Sequence, residues 1–145
     1  MNPFRDALLT ISVSLLGACS SSHADDAQPS VQDGVFTARQ AQRGDLVYRS
    51  ECASCHAADM RGGPAARGLT GVTFQYRWKE KTLGELFDAM RDTMPPGRQG
   101  TLDEQAYLDL LAAILRRNDF PTGGKELEAD RHLLGITLIR WRRSD

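Results

Sequence analysis

Cys52-Ala53-Ser54-Cys55-His56 are the residues of this chain best suited to chemistry, by type and by spacing. A C-x-x-C pair alone has several uses. It serves as a redox dithiol at a helix N-terminus, or as half of a zinc site. With histidine next, C-x-x-C-H is the attachment site of a c-type haem. A zinc site needs further Cys or His ligands at suitable spacing, and none are near. A thioredoxin-like dithiol needs a βαβ context, and no strand pattern surrounds the motif. Haem attachment uses all three residues. The two thiols add to the two vinyl groups on one edge of the porphyrin, and the next residue places an imidazole nitrogen under the iron. A helical turn puts the three side chains on one side of the ring.

The other face of the iron takes a residue far along the chain or stays open to ligands. Met60 follows His56 too closely to reach around the ring. Met90 falls on an apolar helical stripe, where packing is its expected work. His132 sits in a basic C-terminal segment of unreadable conformation. Met94 lies in Thr93-Met94-Pro95-Pro96-Gly97, where a helix must stop. Pro95 biases Met94 towards extended backbone, and two prolines stiffen the loop that carries it. A rigid loop holds a thioether against iron when thermal motion would detach it. Met94 is therefore the expected second ligand.

Of the three cysteines, the motif uses two, so no intramolecular disulfide remains to be built. Cys19 has a different setting. Ala7 to Ala18 is a short apolar run behind Arg5, the length of a signal-peptide core and too short to span a bilayer. It ends in Leu16-Gly17-Ala18-Cys19, which resembles the bacterial lipobox, whose cysteine becomes the lipidated first residue. The alternative is cleavage after Ser22-His23-Ala24, which would discard Cys19. Either route implies export to the periplasmic side. Residues 1–18 thus read as a signal peptide and 19–35 as a polar tether, expected to be disordered.

Three helices must position the motif and Met94. The first spans Phe36 to Ser50 behind a Thr37-Ala38-Arg39-Gln40 capping box, with Ala41, Gly44 and Tyr48 along one face. Gly44 costs about 1 kcal/mol relative to Ala inside a helix, which close approach of another helix would explain. The second begins at the Thr82-Leu83-Gly84-Glu85 box and carries Leu86, Phe87 and Met90. The third runs from about Asp103 to Asn118, capped through Thr101-Leu102-Asp103-Glu104, with Tyr107, Leu108, Leu111, Ile114 and Leu115 as its apolar stripe. Met60 to Tyr76 is glycine-rich and reads as irregular. The fold class is all-α: one small domain over residues 36–127, with residues 128–145 as a basic extension. So short a chain has limited area for a core. The apolar haem would supply the missing centre, and the haem-free chain is expected to fold poorly.

Together these residues resemble the class I c-type cytochromes, especially the bacterial monohaem domains associated with quinoprotein alcohol dehydrogenases. The resemblance covers about Phe36 to Leu127. Gly44 and Tyr48 precede Cys52 at the spacing of the family's N-terminal helix. Gly63-Pro64 matches the segment whose proline carbonyl accepts a hydrogen bond from the haem-binding histidine, here His56. Trp78 matches the tryptophan near a haem propionate, and Arg77 would pair with the propionate charge. Thr93-Met94-Pro95-Pro96 looks like the distal-ligand loop, and Asn118-Asp119-Phe120-Pro121 like the exit from the last helix. The family often has an aromatic residue where Ile114 stands, facing the N-terminal helix.

The resemblance implies a cytochrome c fold, three main helices wrapped around one covalent haem c, and a function. Thioether ligation raises the potential relative to bis-histidine haems. The expected role is a periplasmic electron carrier between a dehydrogenase and the respiratory chain, rather than an enzyme. A haem-based sensor or a catalytic haem domain with a displaceable Met94 is the alternative. Redox proteins are the expected partners: a dehydrogenase as donor, an oxidase or another cytochrome as acceptor, and a membrane reached through lipidated Cys19. No nucleic-acid partner is indicated. The net charge of −1 gives no overall steering field. The basic stretch from Arg131 to Arg143 suits an acidic partner or anionic lipid, or else a solvated tail. Leu133, Leu134, Ile136, Leu138 and Ile139 suggest that the segment before Arg140 packs back on the domain.

Overall fold

The computed structural model describes residues 28–142. The expected signal peptide, Cys19, the cleavage point after Ala24 and the first part of the tether lie outside the described residues. Six helices follow in order: α1 (Ala38–Glu51), α2 (Ala53–His56), α3 (Gly71–Trp78), α4 (Leu83–Thr93), α5 (Glu104–Arg117) and α6 (Arg131–Ile136). Among the described residues there is no strand, only isolated β-bridges. The chain is all-α, as its periodicity requires.

Helix α5 is the centre. Tyr107 to Leu115 are all buried, so the helix is apolar nearly all round and is enclosed by the other elements. Asp109 is the polar exception. Arg43 on α1 grips it through two parallel bonds of 2.8 Å and also reaches Glu126 at 2.7 Å. These bonds to Arg43 hold the Glu126 carboxyl below its usual range. Gly44, one residue on, lies against the Asp109 backbone; a Cβ there would collide with its carbonyl. That close approach is the reason for a glycine inside α1.

The capping of these helices departs from expectation twice. Thr37 caps α1 by accepting from the Gln40 N–H at 3.0 Å, but the Gln40 side chain does not reach back. It is fully buried, donating to the Leu127 carbonyl at 2.9 Å and accepting from the Leu127 N–H at 2.8 Å. The amide satisfies both backbone groups of a buried segment, a better use than one exposed N–H. Helix α5 is capped by Asp103, which accepts from Ala106 N at 2.6 Å. Thr101 instead donates to the Arg98 carbonyl in the preceding turn. The Thr82–Glu85 box at α4 is complete in both directions.

Three segments read as irregular or separate are built into the domain. Helix α3 occupies the end of the glycine-rich stretch. Phe74 and Trp78, one turn apart, give it a buried face, while neighbouring glycines mask its period. The tether expectation fails from Gln28 onward: Gln28 donates to the Ile136 carbonyl and Pro29 accepts from the Leu138 N–H. Ser30 caps a short 3₁₀ turn at Val31–Asp33, and Val31 is fully buried. Residues 128–142, read as an extension whose apolar residues pack back, do pack on the domain, though Leu133 is exposed. Leu138 exchanges backbone bonds with Pro29 and Val31, Ile139 with Glu80 and Lys81, and Leu134 and Ile139 are buried. Enough apolar side chains lie in both terminal segments to repay their ordering. Two of the cations there are engaged as well: Arg140 pairs with Glu80 at 2.7 Å, and Arg131 with Asp88 at 2.6 Å.

Gly44→Ala is expected to push α1 from α5 and destabilise the haem-loaded protein by about 3 kcal/mol, since backbone atoms have no rotamer to yield. Denaturant unfolding checks this; a loss within experimental error would show that the two helices do not meet at Gly44.

Candidate functional site

One cavity of about 720 Å³ receives side chains from helices α1 to α5. Cys52 is the C-cap of α1 and N-cap of α2, so the four-residue helix α2 carries the motif directly off the end of α1. Cys52, Cys55 and His56 all line the cavity. Burial, then the neighbouring Glu51 and Cys55 charges, pushes the Cys52 thiol up to about 11, so it stays protonated at neutral pH. After His56, Ala57 has φ +64°, a conformation non-glycine residues seldom adopt. The Tyr48 hydroxyl donates to its carbonyl at 2.5 Å and holds it there. Burial raises that phenol to about 12.

His56 is oriented by a residue other than the one expected. Its Nδ1 lies 2.8 Å from the Arg67 carbonyl oxygen. A carbonyl only accepts, so Nδ1 carries the proton and Nε2 keeps its lone pair. Pro64 does not make this contact. The loop after α2 folds back on itself, with Gly62 N–H donating to the His56 carbonyl and Gly63 N–H to the Ala66 carbonyl. Pro64 sits at the exposed turn, and the return arm delivers the Arg67 carbonyl to the imidazole.

Helix α4 and the loop after it form another wall. Leu86, Met90 and Met94 all line the cavity. Met94 is the C-cap of α4 in extended conformation, as the following proline dictates. Tyr107 pins this loop. Its hydroxyl donates to the Met94 carbonyl at 2.9 Å and accepts from Gly100 N–H at 3.2 Å, while its ring meets Phe87 edge-on. The sequence shows Tyr107 only as part of an apolar stripe. Met60 is fully buried and does not line the cavity; His132 is exposed on α6. Met90 does line it, and so does more than pack between helices.

Arg77 and Trp78 line the same cavity, with the Arg77 guanidinium 5.2 Å from the Trp78 ring centroid. Phe74 backs Trp78, and Trp141 packs against Phe74 and Phe120 at 6.1 and 4.8 Å between centroids. The C-terminal segment therefore supports this wall. Asn118 fixes its start: its amide donates to the Leu69 and Ile114 carbonyls and accepts from Gly71 N–H at the beginning of α3. Ile114 itself lines the cavity.

The size lies within the roughly 300–1,000 Å³ of cofactor pockets, and the lining is apolar with a few convergent polar groups. Two thiols, an imidazole with a free Nε2, a thioether and a guanidinium are the donor set that a haem with propionates requires. Among the described residues, no three His, Cys, Asp or Glu side chains cluster as metal ligands, which leaves the zinc reading without support. The family model for cytochrome c oxidase, cbb3-type, subunit III matches residues 39–112, from α1 into α5. The chain belongs to this family. It is a monohaem c-type cytochrome carrying covalently bound haem c, and haem-based electron transfer follows from that membership. Among solved structures, the cytochrome is similar to sulfane dehydrogenase SoxCD from Paracoccus pantotrophus, at 19% identity and a TM-score of 0.48, covering 91% of this chain and 68% of that one. No curated protein matches it. Cytochrome c domains are typically extracytoplasmic, and no helix among the described residues is long and apolar enough to cross a membrane.

Because Arg67 supplies the carbonyl, Pro64→Ala is expected to leave the reduction potential and the His56 ring resonances of the haem-loaded cytochrome unchanged. Movement of either by proton NMR or potentiometry would return the role to Pro64.

Proposed function

We propose that Cys52 and Cys55 hold the haem as thioethers, that His56 Nε2 and Met94 ligate the iron on its two faces, and that Arg77 and Trp78 receive the propionate side. The cytochrome then acts as an electron carrier, without catalysis of its own, between a dehydrogenase and the respiratory chain. The observation that carries this reading is the convergence of His56 and Met94, from separate elements, on one apolar cavity. The haem supplies a one-electron couple; the residues set its value and its access. Arg67 fixes the tautomer of His56 and raises its basicity. Tyr107 holds the Met94 loop by its backbone, so the thioether is delivered by a braced segment. Leu86, Leu110 and Ile114 exclude water from the pocket.

The signal sequence and Cys19 support placement on the periplasmic side of a membrane through a lipid anchor. With Gln28 and Pro29 bonded to Ile136 and Leu138, and residues 30–35 packed on the domain, the tether proposed after Cys19 ends before Gln28. Of the basic C-terminal residues, Arg131 and Arg140 are held in ion pairs on the domain.

The oxidised wild type is expected to show a weak far-red sulfur-to-iron charge-transfer band. Met94→Ala should abolish the band and give high-spin iron, while Met90→Leu should keep it; loss in Met90→Leu alone would transfer ligation to Met90. Tyr107→Phe should retain the band at room temperature and lose it at a lower temperature than wild type. Equal thermal loss would show that the hydroxyl does not brace the loop.

A further inference from the structure

The surface outside Trp78 carries an exposed apolar pair ringed by cations. Val72 and Tyr76 lie one turn apart on α3 and are 81% and 93% exposed, the highest values for large apolar side chains among the described residues. They border an open cleft of about 680 Å³ that Arg67, Arg77, Trp78 and Lys81 complete. Arg67, Arg77 and Trp78 also line the haem cavity, so one layer of side chains separates the cleft from the cofactor. Lys79 stands exposed directly after Trp78. Among the described residues, Arg67, Arg77 and Lys79 form no ion pair with a carboxylate. The acids nearby are already engaged, Glu80 with Arg140 and Glu85 with Lys81. With Arg77 assigned to the propionates and Lys81 paired, Arg67 and Lys79 are the cations left uncompensated on this face of a near-neutral chain.

We propose that this α3 face docks the acidic surface of a redox partner protein. Val72 and Tyr76 form the apolar centre of the contact, Arg67 and Lys79 its charged rim, and the electron crosses at the Trp78 wall. An apolar core with an aromatic residue inside a polar rim is the composition of protein interfaces. Local charge of this kind steers encounter even where net charge does not. Anionic lipid would meet the same cations, but the apolar centre and the thin wall to the haem favour a protein. The proposal rests on the electron-carrier reading above.

The test is stopped-flow oxidation of the ferrous, haem-loaded cytochrome by a blue-copper protein bearing an acidic patch, at low and high salt. The wild-type rate is expected to fall about tenfold as salt rises from roughly 10 to 300 mM, as screened steering requires. Lys79→Glu should be about fivefold slower at low salt and less salt-dependent than wild type. Tyr76→Ser should be slower at every salt concentration. Unchanged Soret and far-red bands establish that the variants keep their haem site. Rates and salt dependence equal to wild type in these variants would overturn the proposal. So would variants that keep their rates but lose co-sedimentation with phosphatidylglycerol vesicles, which would make the face a lipid contact. A wild type that cannot be reversibly reduced, or is high-spin, would instead contradict the electron-carrier reading itself.

Discussion

The backbone contact between α1 and α5 at Gly44 is the constraint on which the rest depends. It places the end of α1, and hence Cys52, Cys55 and His56, beside the stripe of α5 that faces the cavity: Tyr107, Leu110 and Ile114. The other side of the same α5 turn is Asp109, held by Arg43 in a bidentate pair. A buried carboxylate stripped of its partner costs several kcal/mol, so this pair specifies the register at which the helices cross. One helix therefore sets the position of the attachment motif and, through the Tyr107 hydroxyl, that of the Met94 loop.

The cavity walls are held largely by backbone and by polar groups remote from the reacting centre. Arg67 acts through its carbonyl, Tyr107 through a bond to a carbonyl, and Asn118 through three bonds that join the α5 exit to the α3 start. In the proposed carrier, such supports would hold the ligating segments in place between oxidation states. The C-terminal segment contributes as well. Trp141 behind Phe74 stiffens the Trp78 wall, so residues 137–142 serve the site as part of its scaffold. The α3 face outside that wall is then a rigid platform rather than a loop.

The attachment motif and the three long helices were legible because local chemistry dictates them. C-x-x-C-H has one cofactor that uses all three residues, and the apolar stripes of α4 and α5 follow a 3.6-residue period. The end of α4 at Met94 was legible because a following proline ends a helix. What could not be read were choices made by tertiary contact. Gln40 fits a capping box in sequence, yet the buried Leu127 backbone claims its amide. Pro64 and Arg67 both lie in a glycine-rich turn, and only the path of the fold-back decides which carbonyl meets His56. Helix α3 has two apolar anchors among glycines, too few to establish a period. The N-terminal segment is polar apart from Val31, whose burial depends on the C-terminal residues, whereas Leu134, Leu138 and Ile139 pack back on the domain as their apolar character suggested.

The central claim is that the iron is closed on both faces, by His56 and Met94, inside a pocket that the helices keep dry. Exposure of the ferrous, haem-loaded cytochrome to saturating carbon monoxide at neutral pH tests it most directly. A sealed His/Met centre should keep its low-spin ferrous spectrum, with no adduct forming over minutes. Rapid formation of a carbon monoxide adduct by the wild type would mean an open or labile distal face, and would contradict the account.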